Sequence, residues 1–521
     1  MARPETRSKP SQESETRLPA RRFSSWQANI PGWRWSVLLV LGVLALPCYR
    51  SILAVDERAT QPLLLLWPEC AVTVFYFAAC WLVLRSRPAG TRWLRWTELT
   101  LILTLGLAAR SIFFAAPPTL SHDAYRYVWD AHLLTHGLSP YTHTPFDQSV
   151  QFLHDQAIWP NLRFRRSPTI YPPGAQLLFL LIYLIKPLSI GTLKAGIEIC
   201  DVLVALLTLL LLRRHGLDPR RVIIYWWSPI PIIEFAYSAH VDAAAIVWML
   251  ASLLVLGGGL RGAKVVAGTL LGLGALTKFY PALFALVLVR QRRDWPFTLG
   301  LVGTILLTYL AFLPFDAQSG GYLADYVGQT TFDRGIVLRW MSDLILLLGG
   351  TQLVALLAQG LALACLSGWV GWLAWRKGLR PEAGILALSV VWILLATHLF
   401  PWYVAVLLPL LALYLRLPVR PSGEKPAHAA DLSGRFATPA LGIWFFTLAM
   451  PFTYVFFNPG AFYPEIFQLV FVTAFALAAL PLLTRPGRAA LRALLAFSPP
   501  AIGEPITCTY LEEYPHDISQ T

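Results

Sequence analysis

Long apolar runs dominate this chain and restrict what it can fold into. Its 521 residues are 56% hydrophobic and 14% charged, whereas a soluble domain carries about a quarter charged residues. The runs are roughly 15 to 25 residues long, enough to cross a hydrocarbon core of about 30 Å as helices. Because backbone amides in lipid must be paired within their own segment, open strands are excluded. The sequence predicts an all-α, polytopic integral membrane bundle of about 12–14 transmembrane helices.

The predicted spans follow the apolar runs. Their bounds are residues 35–50, 62–84, 97–116, 195–212, 222–238, 243–259, 265–278, 281–290, 297–314, 351–375, 382–398, 402–416, 437–457 and 463–484. The short run at 174–185 follows Pro172 and Pro173, and it predicts an interfacial or re-entrant helix. Pro281 after Lys278 predicts a broken helix that lines a cavity.

The placement of the charges predicts an orientation. The formal net charge is +13, but the basic residues fall in short loops at alternate ends of the predicted spans. This is typical of positive-inside signals, and a nucleic-acid partner is not expected. We expect a multi-pass protein of the cytoplasmic (inner) membrane with both termini in the cytoplasm. On this topology the 117–194 and 315–341 loops face the outer side.

The same reasoning divides the chain into three parts. Residues 1–34 are expected to be a disordered cytoplasmic tail, because they contain no early apolar core of the kind a signal peptide needs. Residues 35–484 form the membrane domain, and residues 485–521 a cytoplasmic C-terminal tail. The six cysteines show no CxxC spacing, which favours small core residues over disulfides or a metal site.

The segment from Asp123 to Tyr141 is polar and aromatic, and it lies between apolar spans. A carboxylate such as Asp123 near the end of a span can act as a general base, or it can cap a helix or be solvated. Tyr127 and Trp129 offer faces that bind sugar rings, although such residues also anchor at interfaces. Asp130 lies seven residues on, which is the same face of a helix.

Later spans carry further polar groups. His240 and Asp242, preceded by Glu234, face a cavity or form an ion pair that only fixes helix packing. Lys278 at its helix break is a natural point charge for a phosphate oxygen, with a snorkelling interface lysine as the alternative. His398 lies in an aromatic turn and is a candidate for substrate contact, although aromatic belts are common at interfaces.

Several short motifs follow one another in order. They are Asp123 with Tyr127 and Asp130, then Gly137-Leu138-Ser139-Pro140-Tyr141, Tyr171-Pro172-Pro173, Trp227-Ser228-Pro229, His240-x-Asp242, Thr277-Lys278-Phe279-Tyr280-Pro281 and Pro401-Trp402-Tyr403. With these motifs, over residues 97–416, the chain resembles the C-type (GT-C) glycosyltransferases. It is most similar to bacterial polyprenol-phosphate-mannose-dependent mannosyltransferases of the family 87 kind, and it also resembles the catalytic subunit of the eukaryotic GPI mannosyltransferase.

The resemblance implies residue roles. Asp123 inherits the role of general base. A second acid is common two positions earlier in that family, but here the position is Ser121, so neither a metal nor another cofactor is expected and an inverting displacement fits better. The substrate-binding candidates are Tyr127, Trp129, Asp130, Tyr141, His240, Asp242, His398 and Tyr403. The candidates for the donor phosphate are Lys278, Tyr280, Arg334 and Arg339.

The resemblance also implies an activity. The expected reaction moves a hexose, mannose above all, from a polyprenyl-phosphate donor to a glycan or lipid acceptor at the outer face of the bilayer. Two alternatives remain open. A lipid-linked oligosaccharide flippase or transporter would need charged groups near the midplane and an internal repeat. A glycan polymerase or ligase would depend on lipid-diphosphate donors.

Overall fold

The computed structural model describes residues 33–54, 62–85, 92–258, 261–312, 335–416, 439–456 and 464–483. Across these ranges the chain is helical and no β-strand is present, which confirms the predicted all-α architecture. The predicted tails, apart from residues 33 and 34, lie outside the described residues. The same is true of the 315–341 loop up to residue 334, and therefore of Arg334.

Fifteen helices of eight residues or more make up the described part of the bundle. In chain order they are α1 (Trp33–Ile52), α2 (Leu66–Arg85), α3 (Arg92–Phe114), α4 (Asp123–Thr135), α5 (Pro173–Ile185), α6 (Ile190–Arg214), α7 (Asp242–Leu256), α8 (Ala263–Thr277), α9 (Trp295–Phe312), α10 (Ile336–Leu347), α11 (Gln352–Lys377), α12 (Pro381–Leu394), α13 (Leu407–Tyr414), α14 (Pro439–Ala449) and α15 (Pro464–Leu483). Shorter helical turns connect several of them.

Six helical segments are long and apolar enough to cross a membrane. They are Trp33–Ile52, Leu66–Arg85, Trp93–Phe114, Ile190–Arg214, Arg292–Phe312 and Gln352–Lys377. A pair of segments bent by 118°, Pro229–Tyr237 and Asp242–Leu256, would make a seventh span. These segments confirm a polytopic helical membrane protein.

The number of full-length spans among the described residues is smaller than the predicted 12–14. The apolar runs at 222–238 and 243–259 are the two halves of the bent pair. The run at 265–290 is interrupted after Thr277, as predicted, and continues as short turns at Tyr280–Phe284 and Ala285–Leu288. Several other predicted spans are apolar helices of 10–17 residues, among them Pro381–Leu394, Pro401–Tyr414 and Pro439–Val455.

Contacts between loops gather basic residues at one end of the bundle. They join Arg214 to the carbonyls of Leu254 and Gly257, His215 to Glu382, Arg221 to the carbonyls of Ala412 and Leu415, and Lys264 to Asp294. Glu98 near the start of α3 pairs with Arg220 of these loops, whereas the last turn of α3 contacts Lys194 at the start of α6. The end of α3 and the start of α4 therefore lie at the opposite end. The compartment that either end meets stays a prediction.

A buried ionic cluster fixes α3 against α6. The Arg110 guanidinium donates through Nε to Asp201 Oδ2 at 2.6 Å. Lys194 donates through Nζ to the carbonyls of Phe113 and Ala116, each at 2.6 Å. Phe113 lies in the last turn of α3 and Ala116 just after it, where helix carbonyls lack the amide partners of a continuing helix. The cluster therefore holds the end of α3 and orients the chain that leads into α4.

Glycines allow α8 and α9 to pack closely. A Cβ on Gly300 would lie 2.2 Å from the carbonyl oxygen of Val265, and one on Gly268 would lie 2.0 Å from that of Phe297. Small residues at such crossings bring two membrane helices into backbone contact. This packing fixes the direction of α8, whose last turn leads to Lys278.

We expect Gly300→Ala to destabilise the protein by about 1–3 kcal/mol, because the added methyl group overpacks the crossing. The matched control is Gly303→Ala on the same helix, where a Cβ would meet no atom within 4 Å. Thermal unfolding of both variants in detergent checks the prediction. Equal unfolding temperatures would show that the close crossing is not required.

Candidate active site

Asp123 is the first residue of α4 and is partly accessible. Its side chain is 28% exposed, and an acid in the first turn of a helix is favoured by the helix dipole. His122, rather than Asp123, occupies the capping position. The Asp123 carboxylate accepts a hydrogen bond through Oδ2 from the hydroxyl of Tyr171 at 3.1 Å. Asp123 is therefore held by a side chain from the segment that leads into α5.

Residues Tyr171 and Pro172, here called the strap, lead into α5. Pro172 occupies the N-cap position and Pro173 is the first residue of the helix, a position that proline favours because its φ is already helical. The Tyr171 carbonyl accepts a hydrogen bond from Tyr141 at 2.8 Å. Burial and the neighbouring Asp123 carboxylate raise the pKa of Tyr171. The phenol therefore stays protonated and donates to Asp123.

Gly174 brings this strap onto the end of α8. A Cβ at Gly174 would lie 2.6 Å from the Leu276 Cβ and 2.9 Å from its carbonyl oxygen. Only a glycine allows so close an approach without displacing one of the helices. The contact places the ring of Tyr171 beside the residue that follows the last turn of α8, which is Lys278.

Lys278 lies where α8 ends, with an extended backbone at φ −144°. Its Nζ is 3.1 Å from Asp242 Oδ2 at the start of α7. The same Nζ is 5.3 Å from the ring centroid of Tyr171 and 5.7 Å from that of Tyr403. A cation between aromatic faces is stabilised by their quadrupoles. The Lys278 side chain is 16% exposed, so it is only partly buried.

An irregular segment before α7 sets the position of His240. Residues Ile232–Tyr237 form a π-helix, a form that often occurs at functional sites. Ala239 then adopts a left-handed backbone at φ 58°, and the His240 amide donates to the Glu234 carbonyl at 2.9 Å. A non-glycine residue in this region is strained and is held by its surroundings. The bend turns the imidazole and Asp242 toward α4 and α8.

The His240 ring lies between two carboxyl groups. Its Nδ1 is 3.7 Å from Asp123 Oδ2, and its Nε2 is 3.4 Å from Glu234 Oε2. The ring is fully buried and stacks on Trp402, with 3.7 Å between centroids. Glu234 is also fully buried and accepts a hydrogen bond from Tyr454 at 3.0 Å.

The turn that begins at His398 forms an aromatic wall of the site. Phe400 stacks on Trp402 at 4.5 Å, and the His398 ring lies nearly parallel to Phe400 at 6.3 Å. Together with His240 these rings form one continuous row. Tyr403 leaves the row and lies beside Lys278. The wall thus connects the predicted His398 and Tyr403 to the central groups.

Four predicted residues meet at the centre of the site, namely Asp123, His240, Asp242 and Lys278. Tyr127 is next to them, because its hydroxyl is 3.3 Å from that of Tyr171. The predicted meeting of acid, imidazole and ammonium groups from distant parts of the chain is therefore present in the structure.

Trp129 and Asp130 are engaged elsewhere. Asp130 is fully buried, pairs with Arg126 at 2.7 Å, and accepts a hydrogen bond from Gln176 at 3.0 Å. Trp129 packs on His154 and is fully buried. These contacts tie α4 to the surrounding segment, and the predicted substrate contact of both side chains stays a prediction.

The remaining candidates surround the site. Tyr280 stacks on Trp392 with 4.1 Å between centroids. Tyr141 is buried and bonded to the strap, as described above. Arg339 is half-buried in the first turns of α10, a helix whose preceding residue Gly335 donates its amide to the Thr397 carbonyl at 2.8 Å. Arg334 is not among the described residues.

Sequence reasoning missed part of the site. The Tyr171-Pro172-Pro173 motif contains Tyr171, but nothing in the local pattern indicates that its hydroxyl reaches Asp123. Glu234 is recognisable as an ionisable group in a span, but the pattern gives it no place in the site. Trp402 belongs to the Pro401-Trp402-Tyr403 motif, which does not indicate its stack on His240. Tyr454 carries no signal, because an isolated aromatic residue in a membrane helix is ordinary.

Within the described ranges, no group of three or more His, Cys, Asp or Glu side chains could hold a metal ion. The site groups offer acid–base and electrostatic chemistry. A partly exposed carboxylate with a hydrogen-bond donor on one oxygen can accept a proton from a bound hydroxyl. A partly exposed lysine nearby can stabilise a developing anion.

Comparison with known proteins gives one match. Residues 169–401 match the model of glycosyltransferase family 87, a range that contains His240, Asp242, Lys278 and His398 and begins after Asp123. No curated protein and no solved structure matches the chain. The match confirms the resemblance to glycosyltransferase family 87 over this range, and together with the apolar spans it supports a membrane glycosyltransferase.

Proposed function

We propose that the protein transfers a hexose, with mannose as the expected sugar, from a polyprenyl-phosphate donor to a glycan or lipid acceptor. The observation that carries the proposal is the meeting of a partly exposed carboxylate, Asp123, with a partly exposed lysine, Lys278, around the single side chain of Tyr171. A base and a cation beside the same tyrosine suit sugar transfer from a phosphate carrier.

The proposed reaction is a single displacement. The acceptor hydroxyl oxygen attacks the anomeric carbon of the donor sugar while its proton passes to the Asp123 carboxylate. The bond between the anomeric carbon and the phosphate oxygen breaks, and polyprenyl phosphate leaves with the electron pair. Attack opposite to the leaving group inverts the anomeric configuration. Asp123 would supply general-base catalysis and Lys278 would stabilise the phosphate.

Lys278 is suited to bind the donor phosphate because its ammonium group is held in position while some of its N–H donors stay available. One direction is taken by Asp242 at 3.1 Å, and an ammonium group has three N–H donors. The rings of Tyr171 and Tyr403 hold Nζ without accepting strong hydrogen bonds. A phosphate oxygen would therefore accept a hydrogen bond from an ammonium group that is already in position.

The location supports a substrate that stays in the bilayer. The candidate site lies at the end of the bundle opposite to the basic loops, and orientation signals of this kind mark the cytoplasmic side. We therefore assign the reaction to the outer face of the cytoplasmic membrane. α5 beside the site exposes an apolar face that includes Leu181 and Ile185, and this face is suited to the acyl region of a bilayer.

We expect Asp123→Asn to lower the turnover number by about 10²–10⁴-fold, because an amide cannot accept the acceptor proton. The measurement is hexose transfer by the purified protein with a panel of polyprenyl-phosphate and polyprenyl-diphosphate sugars. Asp155→Asn is the matched control, because Asp155 Oδ1 accepts from the backbone amides of Ala157 and Ile158, which an asparagine oxygen can also do, and turnover should stay unchanged. Retained turnover in Asp123→Asn would remove Asp123 from the mechanism, and a requirement for diphosphate donors would favour a polymerase or ligase.

We expect Lys278→Met to lower turnover by about 10²–10³-fold, because the leaving phosphate loses its cation. The variant also leaves the buried Asp242 carboxylate unpaired, which costs about 3–5 kcal/mol of stability. The double variant Asp242→Asn, Lys278→Met should therefore recover the unfolding temperature but not the activity.

The control for this pair is Lys264→Met at the other end of α8. Lys264 pairs with Asp294 at 2.8 Å, and its side chain is 41% exposed. An exposed pair contributes only about 0–1 kcal/mol, so stability and turnover should both stay close to those of the parent protein. If the double variant regained activity with stability, Lys278 would have a purely structural role.

A further inference from the structure

We propose that Glu234 is a positioning residue that acts through His240 to keep Asp123 in its proton-accepting carboxylate form. The inference rests on the proposed role of Asp123 as general base. In it, Glu234 keeps one proton and donates it as a hydrogen bond to His240 Nε2. The imidazole then carries its own proton on Nδ1, which points to Asp123 Oδ2.

The three groups form one continuous contact across the site. His240 Nε2 is 3.4 Å from Glu234 Oε2, and Nδ1 is 3.7 Å from Asp123 Oδ2. Within the described part of the chain, neither ring nitrogen has a hydrogen-bond partner. The ring itself is held by its stack on Trp402. Each nitrogen of a fully buried imidazole thus lies close to a carboxyl group.

The surroundings of Glu234 favour the protonated acid. Glu234 is fully buried, and its Oε1 has no hydrogen-bond partner among the described residues. Its Oε2 accepts a hydrogen bond from Tyr454 at 3.0 Å, which still allows a proton on Oε2 to be donated to His240. A carboxylate buried with one neutral donor and an open oxygen would be costly. The neutral acid keeps its hydrogen bonds and avoids the free-energy cost of burying a charge.

The charges that face these groups point the same way. Besides His240, the ionisable side chains near Glu234 are Glu69 of α2, Tyr454, Asp123 and Asp242. The ionisable side chains near His240 are Asp123, Glu234 and Lys278. Those near Asp123 are Tyr127, Tyr171, Glu234 and His240.

The acids near Glu234 disfavour a negative charge on Glu234 itself. Lys278 disfavours a positive charge on the ring, so His240 is neutral and its single proton must be on one nitrogen.

The position of that proton follows from the two carboxyl groups. A proton on Nε2 would turn the Nδ1 lone pair toward the Asp123 carboxylate, and two acceptors would then face each other. A proton on Nδ1 gives Asp123 a donor and lets Nε2 accept from Glu234. The second tautomer satisfies all three groups. The contacts of 3.4 and 3.7 Å are longer than hydrogen bonds, and catalytic contacts commonly tighten when the substrate binds.

The test compares Glu234→Ala with Glu234→Gln in the full-length purified protein. The probe is the polyprenyl-phosphate hexose that the parent protein turns over best, and kcat, KM and the pH profile of kcat/KM are measured. A glutamine amide can donate to Nε2 and accept from Tyr454, whereas alanine can do neither. Glu382→Ala is the control, because Glu382 contacts His215 at 3.1 Å at the opposite end of the bundle.

We expect Glu234→Ala to lower kcat by about 10–100-fold, as loss of an orienting partner typically does, with KM for the donor little changed. The acid limb of the pH profile should move to higher pH, because Asp123 loses the donor that favours its carboxylate. Glu234→Gln should rescue most of the loss and return the acid limb to its original position. Glu382→Ala should leave the profile unmoved.

Two results would overturn the inference: Glu234→Gln as impaired as Glu234→Ala, or an unshifted acid limb in Glu234→Ala. If Glu234→Ala does not fold, Tyr454→Phe decides, since it removes only the hydroxyl on Oε2. A smaller shift of the acid limb to higher pH supports the inference, and an unmoved limb rejects it. An inactive Asp123→Asn beside an unaffected Glu234→Ala would reject the role of Glu234 and keep the proposed function, whereas an active Asp123→Asn would reject the function itself.

Discussion

The rest of the site depends on the buried ion pair between Lys278 and Asp242, which joins the end of α8 to the start of α7. α7 begins at Asp242 and α8 ends at Thr277, so the pair closes the gap between a helix start and a helix end. A single charge at this depth would be costly to bury, and each partner makes the other tolerable. The pair also places the ammonium group under the rings of Tyr171 and Tyr403. The strap before α5 and the turn after His398 are both built around that position.

Much of the architecture could be predicted from local sequence, because lipid leaves a chain few choices. Apolar runs long enough to span a bilayer can only be helices, and the break after Thr277 was visible in Lys278 and Pro281. The bend before α7 was not predicted, because residues 222–238 and 243–259 were expected to be separate spans. The π-helix and the left-handed Ala239 that make the bend depend on the packing around them. Two apolar runs that read as separate spans are therefore halves of one bent segment.

The sequence predicts which residues belong to the candidate site better than it predicts how they contact one another. Ionisable groups in a membrane protein are rare enough that Asp123, His240, Asp242 and Lys278 were apparent one by one. Their partners were not, because hydrogen bonds such as that between Tyr454 and Glu234 join residues 220 positions apart. For Asp130, in contrast, the partner is local in sequence. Arg126 lies four residues earlier on the same helix, and this spacing is that of a local ion pair. Helical periodicity alone placed Asp130 beside Asp123 without identifying that competing partner.

The length of α8 has a consequence for the surrounding lipid. This helix has 15 residues, which at about 1.5 Å per residue is about 22 Å, short of a hydrocarbon core of about 30 Å. With Lys264 at the aqueous boundary, Lys278 would lie several ångströms inside the far leaflet. Either the leaflet is compressed beside α8 or water reaches down to the lysine, and each solution carries an energetic cost that grows with mismatch. Acyl-chain length in the host membrane would thereby set how readily a phosphate headgroup descends to meet this lysine.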